Sequence, residues 1–271
     1  MIHSPNSPKL LIVASIISHH AGVSIPQHAH ATGQLSVVLR GTMTVTGERG
    51  WWVAPPGLAI WLPPETPHAA RYSESSSLIN VLFQPGTSLS LPTQCGPVVV
   101  SDLLRELARE AARLSVADDL GSLSPANVSA LGLLAQVMTL QIQLPKAATS
   151  LFVPHGRDKR LRYVIDLLHQ DPGSSLTLED FAAEAHTSSR TLARLFESET
   201  SMTFTRWREQ LRIVCAVDRL TRGRSITDTA LELGYASASS FTTLFTRLLG
   251  MPPKKYMCHL HNTGEQRPEY R

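Results

Sequence analysis

Cysteine is scarce: the 271 residues hold three, Cys95, Cys215 and Cys258, with no metal-like spacing between them and one necessarily outside any pair. That usage suits a reducing compartment, with the thiols as structural residues. Long apolar runs are missing as well, since no stretch approaches the ~20 residues that cross a bilayer. The run LLIVASII at Leu10 to Ile17 lacks a basic flank and a small-residue cleavage site, so it reads as a buried strand of a cytoplasmic protein. Charge is thin at 17% against 42% hydrophobic residues, which rules out a disordered polymer and leaves enough apolar material for two folded domains.

The charge that exists is uneven. Residues 157–262 carry 15 Lys+Arg against 12 Asp+Glu, whereas residues 1–156 carry 8 against 8, so the net +3 lies in the C-terminal part. That surplus is weak evidence for nucleic acid by itself. From Met1 to about Phe83 the chain alternates short β-rich runs (QLSVVLR, GTMTVTG, WWVAP, AIWLPP, SLINVLF) with Gly and Pro, the rhythm of a sandwich or barrel. Ser101 to Leu114 reads as an amphipathic helix with Leu103, Leu104, Leu107, Ala111 and Leu114 inward and Arg105, Glu106, Arg109, Glu110 and Arg113 largely outward. A second helix is expected over 125–144, and the Pro/Gly/small stretch 145–157 reads as a linker.

Beyond the linker the same design occurs twice. Thr177 and Asp180 have capping spacing, and Ser188 can cap SSRTLARLFESE; Ser225 and Asp228 repeat the first pair, Gly234 permits a reversal, and Ser237 can cap the next helix. Ser188 to Phe196 and Ser237 to Phe245 have equal separation, each ending in a Leu-Phe pair. These are two helix-turn-helix candidates. Phe204 to Leu220 between them reads as a continuous helix that would hold two recognition helices on one DNA face, about 34 Å apart.

Residues from about Arg160 to Met257, above all GYASASSFTTLFTRLLGMPPKKYM, resemble the DNA-binding domain of the AraC/XylS family of bacterial transcription regulators. The resemblance places Ser189, Arg190, Thr191 and Arg194 on the exposed side of the first recognition helix, and Ser239, Ser240 and Thr243 on that of the second. Arg190 and Arg194 are the expected base readers, since arginine pairs bidentately with guanine. The short side chains of the second unit imply weaker reading there, and Arg247, Lys254 and Lys255 are expected as phosphate clamps. His186 stands where the family often has glycine.

In the N-terminal part, Gly22, His28, His30, Gln34 and Gly41 resemble the first cupin motif, and His68 of PPETPH stands where the second has its histidine. The resemblance implies a small cupin barrel to about residue 95, as in a subgroup of the AraC family. Two histidines one residue apart on a strand share a face, and with His68 they offer three nitrogens suited to Zn, Ni, Fe or Cu. Gln34 replaces the usual glutamate ligand and Glu65 the usual glycine, which disfavours a redox iron centre. Two readings stay open: one divalent transition metal on His28, His30, Gln34 and His68, or a metal-free effector pocket lined by the same residues. Among the aromatic residues, Trp61 is expected to face that pocket.

The expectation is a mixed two-domain chain: residues 1–144 a β-barrel with following helices for effector binding and dimerisation, 145–157 a linker, 158–262 an all-α DNA-binding domain with two helix-turn-helix units, and 263–271 a tail. It acts as a sequence-specific transcription regulator with double-stranded DNA, a small-molecule effector, a second copy of itself and, if an activator, RNA polymerase as partners, and with no membrane. The alternative is a metal-dependent cupin enzyme with accessory DNA binding.

Overall fold

The computed structural model describes residues 9–87, 89–117, 122–143 and 151–264; the first part of the expected linker and most of the tail lie outside the described residues. In chain order the strands are β1 Ile12–His19, β2 Ser24–His28, β3 Gly33–Arg40, β4 Met43–Gly47, β5 Gly50–Ala54, β6 Leu58–Leu62, β7 His68–Tyr72, β8 Ser76–Phe83 and β9 Gly96–Val99. Helices α1 Asp102–Leu114 and α2 Pro125–Gln143 and strand β10 Phe152–Pro154 follow. The chain then runs through α3 Lys159–Gln170, α4 Leu178–Glu184, α5 Ser189–Thr200, α6 Phe204–Thr221, α7 Ile226–Glu232, α8 Ala238–Leu249 and α9 Pro253–Gly264. It divides into two compact units, Met1–Met43 with Pro56–Ala148, and Thr44–Pro55 with Thr149–Arg271.

In the first unit an antiparallel sheet runs in the order β1-β8-β3-β6-β9. Strand alternation sorts its residues by face. Leu35, Val37, Ala59, Trp61, Ile79 and Val81 form one core with Leu104, Ala108 and Ala111 of α1 and Leu131, Ala135 and Met138 of α2. Gln34, Ser36 and Asn80 alternate with these residues and so occupy the opposite face. Ser101 caps α1 by accepting the Leu104 amide. The buried side of α1 is rotated from the expected one: Leu103 is 51% exposed, while Arg105 is 4% exposed and ion-paired to Asp102 at 2.9 Å. Burying Ala108 and Ala112 beside Leu104 and Ala111 shifts the inward face toward position 105 and turns 103 out.

The second unit contains two departures from the expected domain plan. Residues 44–55, expected in the barrel domain, group with 149–271, and Phe152–Pro154, expected in the linker, form a strand paired antiparallel with β5. Aromatic packing accounts for both. Trp52 stacks on Phe152 with centroids 4.6 Å apart, and Trp51 meets Trp207 of α6 edge-on at 6.3 Å. The Trp207 indole N–H donates to Pro154 O at 2.9 Å, so the polar edge of that fully buried ring is satisfied by the strand. Gly50 is required here, because a Cβ would fall 2.2 Å from Val153 O.

The helices of this unit follow their sequence signals. Leu161, Val164, Ile165 and Leu168 of α3 are buried, as are Phe204, Trp207, Leu211, Val214 and Val217 of α6. At 18 residues α6 is about 27 Å long. Its N-terminus is capped by Thr203, which accepts the Arg206 amide.

Candidate DNA-binding surface and the histidine cluster

The two helix-turn-helix units share their turn bonds and the hydroxyl half of the cap, while the reciprocal carboxylate-to-amide bond is made in the first unit alone among the described residues. In the first, the Thr177 hydroxyl accepts the Asp180 amide and the Asp180 carboxylate accepts the Thr177 amide, a full capping box. In the second, Ser225 accepts the Asp228 amide at 3.0 Å. His186 donates its amide to Ala183 O and Thr187 to Ala182 O; Gly234 donates to Leu231 O and Tyr235 to Ala230 O, all at 2.9–3.0 Å. His186 therefore adopts the left-handed turn that Gly234 adopts, with φ of 50° against 74°. The histidine costs about 1 kcal/mol there. The turn that follows is one residue longer in the second unit, where Tyr235 and Ala236 precede the Ser237 cap, than in the first, where Thr187 alone precedes Ser188.

Leu192, Leu195, Phe196 and Thr200 pin the inner side of α5, which leaves Arg190 and Arg194 exposed one turn apart on the outer side. Among the described residues neither makes an ion pair or hydrogen bond. Ser189 is half-buried, and Thr191 bonds its hydroxyl to Ser188 at 2.9 Å. On α8, Phe241, Leu244, Phe245 and Leu249 face inward, while Ser239, Ser240, Thr243 and Arg247 are exposed. Three of the four already donate a bond within the unit. Ser240 donates to Ser237 O at 2.8 Å, Thr243 donates to Ser239 O at 3.0 Å, and Arg247 pairs with Glu209 of α6 at 2.8 Å. Such an exposed ion pair is worth less than about 1 kcal/mol, so a phosphate can compete for the arginine. Lys254 and Lys255 are exposed on the first turn of α9.

In the first unit, His28 of β2 and His68 of β7 are directly opposite across an antiparallel pair, and the candidate ligand atoms of His28, His30 and His68 lie within 4.8 Å of one another. Each ring is oriented by its own backbone. Nδ1 of His28 contacts Pro26 O at 2.9 Å, Nδ1 of His30 contacts Thr32 O at 2.7 Å, and Nδ1 of His68 contacts Thr66 O at 2.8 Å. A carbonyl only accepts, so each bond places the proton on Nδ1 and leaves Nε2 a free lone pair, the tautomer of a metal-ligating histidine. The Nε2 of His30 is buried with no partner among the described residues. Burial lowers the His68 pKa, aided by the charges of His28 and His30 and opposed by the Thr66 carbonyl. Glu65, at the expected glycine position, has φ of 57° and donates its amide to His30 O at 2.8 Å, tying the two histidine segments together.

Gln34 donates its amide to Ser36 Oγ at 2.8 Å, and Ser36 donates to Asn80 Oδ1 at 2.8 Å, forming a polar row on its sheet face. The structure does not bring Trp61 to this row. The register pairs Trp61 with Leu35, one residue out of phase with Gln34, so its ring packs on the helix side against Gly33 and Phe83 and donates to Pro92 O at 2.8 Å. Ser36 and Asn80 were missed from the sequence. The signal for Asn80 was a lone amide inside SLINVLF, in phase with Leu78 and Leu82.

A β-domain followed by twin helix-turn-helix units defines a two-domain, DNA-binding transcription regulator. The AraC-like ligand binding domain family matches residues 12–131 and the helix-turn-helix domain family matches residues 181–258, and the chain belongs to the AraC family. The HTH-type transcriptional regulator NimR of Escherichia coli (strain K12) is 29% identical over 251 residues, covering 91% of this chain and 88% of NimR. The HTH-type transcriptional activator RhaS of Escherichia fergusonii is 23% identical over 251 residues, covering 86% and 87%. Unsaturated fatty acid-bound ToxT from Vibrio cholerae aligns over 94% of this chain and 97% of its own at 13% identity and a TM-score of 0.38. Among the described residues no helix is long and apolar enough to cross a membrane.

Proposed function

We propose that the β-domain senses a small-molecule effector through a divalent transition metal held by His28, His30 and His68, and that effector binding shifts the affinity of the C-terminal unit for its DNA site. The carrying observation is the convergence of three histidines whose Nδ1 atoms are all committed to backbone carbonyls. The donor set fits such an ion: three neutral imidazoles leave coordination positions for an exogenous ligand. A bound metal would supply a Lewis-acidic anchor for an oxygen or nitrogen atom of the effector, with Gln34, Ser36 and Asn80 as hydrogen-bonding partners. An effector acts only through a difference in its affinity for two states of the protein.

The test is metal analysis of purified full-length chain beside His28→Ala, with DNA affinity measured for each. About one equivalent of a transition metal in the parent, a substoichiometric amount in the variant and a lost effector response are expected. No metal in the parent and an unchanged response in His28→Ala would contradict the ion and leave the metal-free pocket. The relatives are named as regulators, which favours regulation over a metal-dependent enzyme.

A second copy of the chain is the proposed partner of α2. Its inward stripe is used within the unit, yet Leu133, Val137 and Leu140 form a second apolar stripe, 65%, 38% and 61% exposed. Sedimentation of a monomer at micromolar concentration would contradict this. The proposed setting is cytoplasmic, with RNA polymerase as a further partner where the chain activates.

A further inference from the structure

Helix α6 joins the two helix-turn-helix units covalently, but a second connection bypasses it. The loop leading from α3 into α4 touches the turn between α7 and α8 backbone to backbone. A Cβ on Gly173 would lie 2.4 Å from Glu232 O, and one on Gly234 would lie 2.4 Å from Gly173 O. Both positions exclude any side chain, so the two segments are as close as peptide groups allow. Arg212 on α6 closes this contact from beneath. Its Nε donates to Pro172 O at 2.9 Å and its Nη2 to Ser174 O at 2.9 Å, while its guanidinium carbon lies 5.6 Å from the Tyr235 ring centroid. One half-buried fork therefore grips the loop of the first unit and the turn of the second together. A lysine cannot reproduce this, having no planar fork to serve two carbonyls and a ring at once.

We propose that Arg212 is a positioning residue that sets the separation and angle of α5 and α8, and thereby the spacing between the two DNA segments the chain accepts. This role presupposes that the two units bind DNA as proposed. Two recognition helices joined by a helix alone could flex about its ends. Buckled at Gly173 and Gly234, they present one fixed geometry, and DNA must supply matching grooves. Inserting one base pair between the segments rotates one against the other by about 34° and lengthens the site by about 3.4 Å, which a locked pair cannot follow.

The test uses a duplex enriched from a random-sequence pool by the full-length chain, with companions carrying one base pair added or removed between the two protected segments. The parent is expected to lose about tenfold or more on either companion. Arg212→Met is expected to bind the enriched duplex more weakly and to narrow the ratio between that duplex and its companions to within about threefold, with Arg212→Lys between the two. The ratio is insensitive to the fraction of folded protein, so a purely stabilising role would lower all affinities alike and leave it unchanged; that result overturns the proposal, as does a parent with no spacing preference. Should Arg212→Met not fold, Arg212→Lys and Gly234→Ala read the same ratio. Failure of the parent to enrich any duplex would instead contradict the DNA-binding reading itself.

Discussion

The two helix-turn-helix units share caps, turn bonds and a Leu-Phe pair, yet present different chemistry to DNA. The first offers two long guanidiniums, Arg190 and Arg194, on a surface where their donors are uncommitted among the described residues. The second offers Ser240 and Thr243, whose hydroxyls donate to carbonyls of their own helix, and Arg247, already paired to Glu209. Shape and chemistry are thus separable: the same backbone device can read bases in one copy and hold register in the other. Affinity that depends on base identity should come mainly from α5, with α8 and α9 adding contacts that tolerate any sequence.

The largest effect should follow Arg194→Ala. Loss of a bidentate guanine contact lowers affinity for an enriched duplex by about 1 to 3 kcal/mol, with binding to random duplex largely kept. Equal losses on both duplexes, measured by fluorescence anisotropy, would make Arg194 a phosphate contact and break the contrast. Next comes the turn. Gly234→Ala meets both a φ of 74° and the Gly173 carbonyl, so it should cost about 2 kcal/mol of stability in denaturant titration. His186→Gly trades relieved strain against greater unfolded-state entropy and should change stability by about 0.5 kcal/mol or less. Equal costs would mean the two turns are not equivalent in the way their bonds imply. Lys254→Ala should reduce the salt slope of binding by about one on enriched and random duplexes alike. The smallest effect belongs to Ser240→Ala, within about 0.5 kcal/mol on the enriched duplex; a loss comparable to Arg194→Ala would place base reading in the second unit too.

The helical half was legible because its signals are local. Thr177, Ser188, Ser225 and Ser237 cap the helices they precede, and the apolar period of α6 lies within 18 residues. The β half was legible in class but not in register. Whether Trp61 faces Gln34 or Leu35 depends on pairing with β3, which a one-residue slip reverses. The pairing of Trp52 with Phe152 spans a hundred residues of sequence, so no local pattern in WWVAP or SLFVP announced it. Arg105 was misplaced for a simpler reason: charge suggested the surface, while the packing of Leu104 and Ala108 carried it inward beside Asp102. The three histidines were legible as a set through the resemblance of their segments to the two cupin motifs. Their common tautomer was not, because it depends on carbonyls whose direction only the folded backbone fixes.

The most direct test of the division between the two units is the sequence constraint in duplexes enriched by the full-length chain from a random pool, read separately for its two protected segments. Strong constraint with required guanines in the segment lost on Arg194→Ala, and weak constraint in the other, is the result expected. Equal constraint in both segments, or constraint that survives Arg194→Ala and Arg190→Ala together, would contradict it.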